Sequence, residues 1–270
     1  MKLFYRELGD GNPVIILHGL YGMSDNWMYY ARSLACCCRV IVPDHRNHGA
    51  SPHSEEHSYA LMSQDLLELM DHLSIPKAIL LGHSMGGKVA MQFAALHPAR
   101  VAALIVADIA PKNYLDVSHS FFQVQSHVAI LTALSSIEIE KVNSRKEAEQ
   151  LLAQKIPSLI LRQFLLKNLR RRSNHEFEWK INIPVLLKCI DSILRNVDYE
   201  WLEREVHPSE FPVTFIYGEK SDYLRSEDIS KIARVYPQSN FVEIPNAGHW
   251  LHVDQPEIFL QAVLSSIKKC

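Results

Sequence analysis

Val14-Ile15-Ile16-Leu17 sets four apolar residues in a row, closed in front by Gly11-Asn12-Pro13 and behind by His18-Gly19. A strand with one wet face alternates apolar and polar residues, so an unbroken run needs cover on both faces. Similar runs return at Arg39–Val42, Ala78–Leu81, Val101–Ala107, Val213–Tyr217 and Phe241–Ile244, and a shorter strand is expected at Leu3–Leu8. Between them lie segments with helical spacing: Asp25 to Ala35, Tyr59 to Leu73, Gly86 to Leu96, Glu227 to Val235 and Pro256 to about Lys268. In the second of these, Leu66, Leu69, Met70 and Leu73 share one stripe. Strands alternating with helices predict an α/β fold, a mostly parallel sheet covered by helices on both faces.

The alternation stops after Asp108. From Lys112 to about Pro208 the sequence is helical and irregular, with no strong strand. An interruption of about 100 residues exceeds an ordinary loop. The expected organisation is a core domain of residues 1–111 and 209–270, with residues 112–208 inserted as a helical cap or lid.

Composition excludes several classes. Lys and Arg number 28 against 30 Asp and Glu, a formal charge of −2. A phosphate-backbone binder carries a basic excess, so no nucleic-acid partner is expected. No apolar run approaches the roughly 20 residues of a membrane helix, and Met1–Gly9 lacks the apolar core of a signal peptide. Cys36, Cys37 and Cys38 are adjacent, with Cys189 and Cys270 far away, a poor disulfide framework. Reduced thiols and a cytoplasmic location are expected. His45, His48, His53 and His57 form no metal-ligand spacing; neither a metal nor another cofactor is expected.

Gly82-His83-Ser84-Met85-Gly86 is a G-x-S-x-G directly between a predicted strand and a predicted helix. That context lets a serine project from a tight, strained turn, with the glycines allowing close backbone passage. Ser84 is the candidate nucleophile, and Gly82 and Gly86 form its elbow. An acyl-transfer site also needs two N–H groups aimed at the developing oxyanion. Met85, after the nucleophile, is one candidate; Leu20, in His18-Gly19-Leu20 after an early strand, is the other. The alternative for His18-Gly19 is a plain tight turn. Asn246-Ala247-Gly248-His249-Trp250 follows the last strand and precedes the last helix, which makes His249 the candidate base.

These three motifs, in this order, resemble the α/β-hydrolase superfamily over essentially the whole chain. Asp44-His45-Arg46-Asn47-His48-Gly49-Ala50-Ser51, Gly82 to Lys88, Asp108-Ile109-Ala110-Pro111 and Gly248-His249-Trp250 resemble the YbfF-type esterases. The ABHD-eleven-type hydrolases and the yeast ethanol acetyltransferases belong to the same branch. Arg46-Asn47-His48-Gly49 reads best as a structural loop buttressing the site. The resemblance implies an acid directly after the fifth core strand, and Asp108 stands there. Most α/β hydrolases keep it one strand later, where Asp222 follows Gly218-Glu219-Lys220-Ser221. The chain order Ser…Asp…His suits both, so Asp108 is preferred and Asp222 stays open.

The reading is a serine hydrolase cleaving carboxylic esters through a Ser-His-Asp triad and an acyl-enzyme, acting on a small-molecule ester or acyl substrate. The alternative is a thioesterase or acyl-carrier methyl ester carboxylesterase resembling the BioH type, which would make an acyl carrier its partner. Carbon–carbon bond hydrolysis or acyl transfer on the same triad is a third reading, and a non-catalytic ligand- or partner-binding member a fourth. Phe121, Phe122, Leu159, Phe164 and Leu165 are candidates to line an acyl pocket, against the alternative that they pack the cap onto the body. Arg170-Arg171-Arg172 reads as a solvated face, with contact to an acidic carrier protein or a negatively charged substrate as the alternative.

Overall fold

The computed structural model describes residues 1–115, 121–173, 175–206 and 211–268, and of residues 121–126 the backbone alone. The first stretch runs β1 (Tyr5–Leu8), β2 (Asn12–Leu17), α1 (Met28–Leu34), β3 (Cys38–Pro43), α2 (Tyr59–His72), β4 (Ala78–His83), α3 (Met85–Leu96) and β5 (Val101–Ala107). Then come α4 (Phe121–Ser135), α5 (Arg145–Ala153), α6 (Leu159–Leu166), β6 (Leu169–Arg171), β7 (Phe177–Trp179), α7 (Ile183–Arg195) and α8 (Tyr199–Glu205). The chain returns through β8 (Val213–Gly218), α9 (Ser226–Val235), β9 (Asn240–Ile244), α10 (Leu251–Asp254) and α11 (Pro256–Ile267).

Seven strands form one sheet in the order β1-β3-β2-β4-β5-β8-β9. All neighbours pair in parallel except β1, which runs antiparallel to β3 at the edge. Successive strand residues point to opposite faces, which explains the unbroken apolar runs. Ile15, Leu17, Leu80 and Val106 feed one apolar layer, and Val14, Ile16, Leu81 and Ile105 feed the other. Full burial of each such side chain contributes about 1.5–3 kcal/mol. In α2 the predicted stripe is buried at Leu66, Leu69 and Met70, and the Ser58 side chain accepts from Leu61 N–H to cap the helix. The expected helix from Asp25 divides into a 3-10 turn, Ser24–Trp27, and α1.

The elements between β5 and β8 do not carry a separate core. Leu131, Leu134, Leu165, Leu186 and Ile193 join the same apolar cluster as Leu80 and Val89 of the body. The segment also holds strands that sequence reading did not expect: β6 and β7 form an antiparallel hairpin, with Leu169 opposite Trp179. Three residues are too few for a periodicity to show. Arg170 and Arg172 both pair with Glu178 across this hairpin, and Arg171 Nη2 donates to Asn143 O at 3.2 Å, so all three arginines in that run are engaged within the chain. Among the described residues, no helix is long and apolar enough to cross a membrane. The side chains of Phe121 and Phe122, the expected boundary near Pro208, and Cys270 lie outside the described residues.

Candidate active site

β4 ends at His83 and α3 begins at Met85, so Ser84 makes the turn alone. Its backbone stands at φ 54°, ψ −121°, a region that costs a non-glycine residue about 1–3 kcal/mol. The surrounding backbone is too close to admit relief: a Cβ on Gly86 would lie 2.2 Å from the Leu17 carbonyl oxygen. A Cβ on Gly82 would lie 2.3 Å from the carbonyl oxygen of Gly86. Ser84 N–H donates to Ala107 O at 3.0 Å, and the Ser84 carbonyl accepts from Gly87 N–H at 2.8 Å. The hydroxyl thus stands at the positive end of the α3 dipole.

His249, in the loop between β9 and α10, turns one ring nitrogen to each neighbour. Its Nε2 lies 3.0 Å from Ser84 Oγ, and its Nδ1 lies 2.7 Å from Asp108 Oδ2. With the proton on Nδ1, the ring donates to the carboxylate and leaves its Nε2 lone pair facing the serine hydroxyl. Asp108 is fully buried at the end of β5, at φ 50°. Burial pushes its carboxyl upward, while the Ser221 hydroxyl and the Gly218 N–H, which donates to Oδ1 at 2.9 Å, pull it back down. Burial pushes the His249 imidazole below the ordinary histidine range.

The two candidate aspartates part company in space. The Asp222 carboxylate is 64% exposed and pairs with Arg225 Nη2 at 2.7 Å. The loop that carries it nevertheless reaches the site through Ser221 and Tyr223. Ser221 hydrogen-bonds Asp108, and the Tyr223 phenol stacks on His249 with ring centroids 3.6 Å apart and planes at 17°. Sequence reasoning missed both, although it had singled out their segment. It also missed His83, whose Nε2 meets the His249 carbonyl at 2.9 Å and so holds the His249 loop against the elbow.

The turn after β2 also comes to the elbow. A Cβ on Gly19 would lie 3.1 Å from Ser84 Cβ, and Leu20 and Met85 border, with Ser84, a cavity of about 20 Å³. His18 is buried beneath this turn: its Nδ1 meets Gly19 O at 2.9 Å and its Nε2 accepts from His45 N–H at 3.0 Å. Arg46 is buried as well and grips both oxygens of Asp65, at 2.6 and 2.8 Å. His45, His48 and His57 lie in a loop, and that loop is packed inside behind His18.

A chamber of about 440 Å³ opens beside Ser84 and His249, with Leu20, Ile130, Leu161, Phe164 and Trp250 among its apolar walls. Of the residues expected to line an acyl pocket, Phe164 borders this chamber and packs on Trp250, ring centroids 5.4 Å apart. Leu165 points into the core instead, and Leu159 is 51% exposed. Both follow from helical geometry, since only one face of α6 can look into the chamber. Among the described residues, no group of three or more His, Cys, Asp or Glu side chains is arranged to hold a metal ion.

A parallel sheet covered on both faces, with a strained serine between strand and helix, defines an α/β hydrolase. Residues 12–256 match the family described as the alpha/beta hydrolase fold, and the chain belongs to it. It is 37% identical to the sn-1-specific diacylglycerol lipase ABHD11 of Mus musculus, over 98% of this chain and 85% of that protein. It is 33% identical to Esterase YbfF of Escherichia coli strain K12, over 94% of this chain and 92% of that one. Among solved structures it is similar to a marine microorganism esterase, with a TM-score of 0.91 and 42% identity over 98% of this chain and 99% of that one. The branch resembled by the sequence motifs is the branch of these relatives, and they are named as esterases and lipases.

Proposed function

We propose that the chain is a carboxylic ester hydrolase that works through an acyl-enzyme, with Ser84 as nucleophile, His249 as base and Asp108 as the acid. The observation that carries this reading is the continuous line from Asp108 through His249 to Ser84, at 2.7 and 3.0 Å, beside an apolar chamber. Ser84 Oγ attacks the ester carbonyl carbon, and its proton passes to His249 Nε2. The N–H groups of Leu20 and Met85 receive the oxyanion; the small cavity they border has room for about one water-sized atom. Loss of one such donor costs roughly 3 kcal/mol of transition-state stabilisation.

His249 then gives its proton to the alkoxy oxygen, the carbon–oxygen bond breaks, and the alcohol leaves the acyl group on Ser84. Water repeats the sequence: it loses a proton to His249, attacks the acyl carbon, and releases the carboxylic acid with Ser84 restored. Asp108 stays ionised throughout, orients the ring through Nδ1–H and stabilises the imidazolium that forms. Residues 112–208 act as the cap that sets the acyl group, because Ile130, Leu161 and Phe164 come from it. The free thiols of Cys36, Cys37, Cys38 and Cys189 fit a reducing compartment such as the cytoplasm.

The test is a p-nitrophenyl ester series from acetate to long acyl chains, run on wild type, Ser84→Ala, Asp108→Asn and Asp222→Asn. Ser84→Ala should be inert, and Asp108→Asn should lose about 10⁴ in kcat, as the wrong tautomer does in comparable triads. A fluorophosphonate should label Ser84, read by mass spectrometry. Wild type that is inert on every ester and unlabelled would overturn the reading.

A further inference from the structure

The His249 ring is held at Nδ1 by one hydrogen bond to Asp108. A single bond leaves an imidazole free to tilt, yet Nε2 has to stay aimed at Ser84. Two rings flank it: Tyr223, stacked at 3.6 Å, and His83, with centroids 4.9 Å apart and planes at 36°. Tyr223 is the closer plate, and its own position is fixed at both ends. Its backbone carbonyl accepts from the Tyr114 hydroxyl at 2.6 Å and from Ala110 N–H at 3.2 Å. Its phenolic oxygen lies 3.0 Å from His127 Nε2.

His127 stands on α4, in the segment between β5 and β8, and faces the chamber. Its other nitrogen, Nδ1, lies 3.3 Å from the Tyr21 hydroxyl. Burial holds its pKa down at about 4, so the ring is neutral and carries one proton. It therefore donates at one nitrogen and accepts at the other. Tyr21 in turn is tied to the cap a second time, because its carbonyl accepts from Asn168 Nδ2 at 2.8 Å. The body contributes Tyr21 and Tyr223, and the cap contributes the imidazole that joins them.

We propose that His127 is a positioning residue for the base: through its hydrogen bond to the Tyr223 hydroxyl it holds that ring against His249, so that the seating of the cap fixes the aim of Nε2 at Ser84. This rests on the reading of His249 as the base. The role requires no contact between His127 and the reacting atoms; it acts through Tyr223.

A double-mutant cycle with p-nitrophenyl butyrate tests it. His127→Leu keeps the volume and removes the hydrogen bond; Tyr223→Phe keeps the stacked ring and removes the same bond from the other side. Each should lower kcat by about tenfold, since small misplacements of a reacting group carry losses of this order and more, with the loss in kcat rather than KM. The double variant should be no worse than either single one. His127→Gln, whose amide can donate to or accept from the Tyr223 hydroxyl, should recover most of the rate. Multiplicative losses in the double variant, a loss confined to KM, or no recovery in His127→Gln would each overturn the proposal. Ser84→Ala separates the two readings: if it stays active the triad itself is wrong, and if it is inert while His127→Leu is unaffected only the positioning role falls.

Discussion

The Ser221 hydroxyl donates to Oδ2 of Asp108, the same oxygen that receives the Nδ1–H of His249. Asp108, the proposed acid, is thereby held by a residue from the loop after β8, one position before the aspartate that sequence reading weighed as its rival. Ser221→Ala leaves the buried carboxylate with two donors instead of three. Hydrogen bonds to charged groups contribute about 1.5–3 kcal/mol. Asp108 should rise further from the usual carboxylate range, and kcat on p-nitrophenyl butyrate should fall by roughly 10- to 100-fold by the same arithmetic. Asp222→Asn, on an exposed carboxylate, should change kcat by less than about twofold, in line with the small worth of surface pairs. If Asp222→Asn proves the more damaging of the two, the assignment of the acid is wrong.

Acid should unfold the protein through its enclosed histidines. Burial holds His18 at about 4, His48 at about 3 and His57 at about 2, and His45 well below the ordinary value. Their folded values lie under the unfolded value of about 6.5. Below that pH the unfolded chain binds more protons than the folded one, so stability falls as pH drops and is unaffected by these groups above it. Each contributes a slope of up to about 1.4 kcal/mol per pH unit. Differential scanning calorimetry should give a Tm that is level from pH 7 to 8 and drops steeply between 6 and 4. A Tm unchanged from pH 7 to 5 would contradict this.

Lys88, one turn past Ser84 on α3, ties that helix to the segment between β5 and β8. Its ammonium donates to the carbonyls of Lys112 at 2.9 Å, Leu194 at 3.3 Å and Asn196 at 2.7 Å. The last two close the C-terminus of α7, where carbonyls lack helical partners and the dipole favours a cation. Lys88→Met takes this donor from the carbonyls of Lys112 and Asn196, while the Leu194 carbonyl keeps its bond from Tyr114 N–H, and should cost about 1–3 kcal/mol. The urea midpoint reads this loss, and limited proteolysis should cut first within residues 112–208. An unchanged midpoint would show that water replaces the ammonium without penalty.

The chamber should report its own size. Phe164→Ala removes the ring that packs on Trp250 and enlarges the space beside Ser84. The acyl-chain optimum across the p-nitrophenyl ester series should move to longer chains, with kcat/KM on the shortest esters falling by several-fold, since a truncated apolar wall loses about 1–3 kcal/mol of binding. An optimum that stays in place would put the acyl group elsewhere.

The body of this fold is legible because β2, β4 and β5 are buried on both faces, and burial on both faces writes a continuous apolar run. The places of Ser84 and His249 in the fold are legible for a second reason: each sits at a strand-to-helix junction that the run itself marks. Asp108 against Asp222 was not decidable, because each follows a strand and chain order suits both. What separates them is that Asp108 turns inward at φ 50° toward His249, whereas Asp222 turns out to Arg225. His127 and Tyr223 meet across 96 residues of sequence, and no local pattern encodes such a contact. The β6–β7 hairpin escaped notice because three residues cannot display a period.

The chain leaves the sheet after Ala107 and returns at Val213, and those two strands are hydrogen-bonded neighbours, with Ala107 opposite Ile216. An excursion whose ends already touch can lengthen, shorten or be exchanged at little entropic cost. Yet Asp108 stands at the point of departure, and Gly218 and Ser221, which hold its carboxylate, stand just past the point of return. The segment between the two strands, the proposed selector, is thus a replaceable part mounted on a fixture that also clamps Asp108. A transplanted cap will support turnover only if its two ends meet where the original ones do, whatever its interior recognises.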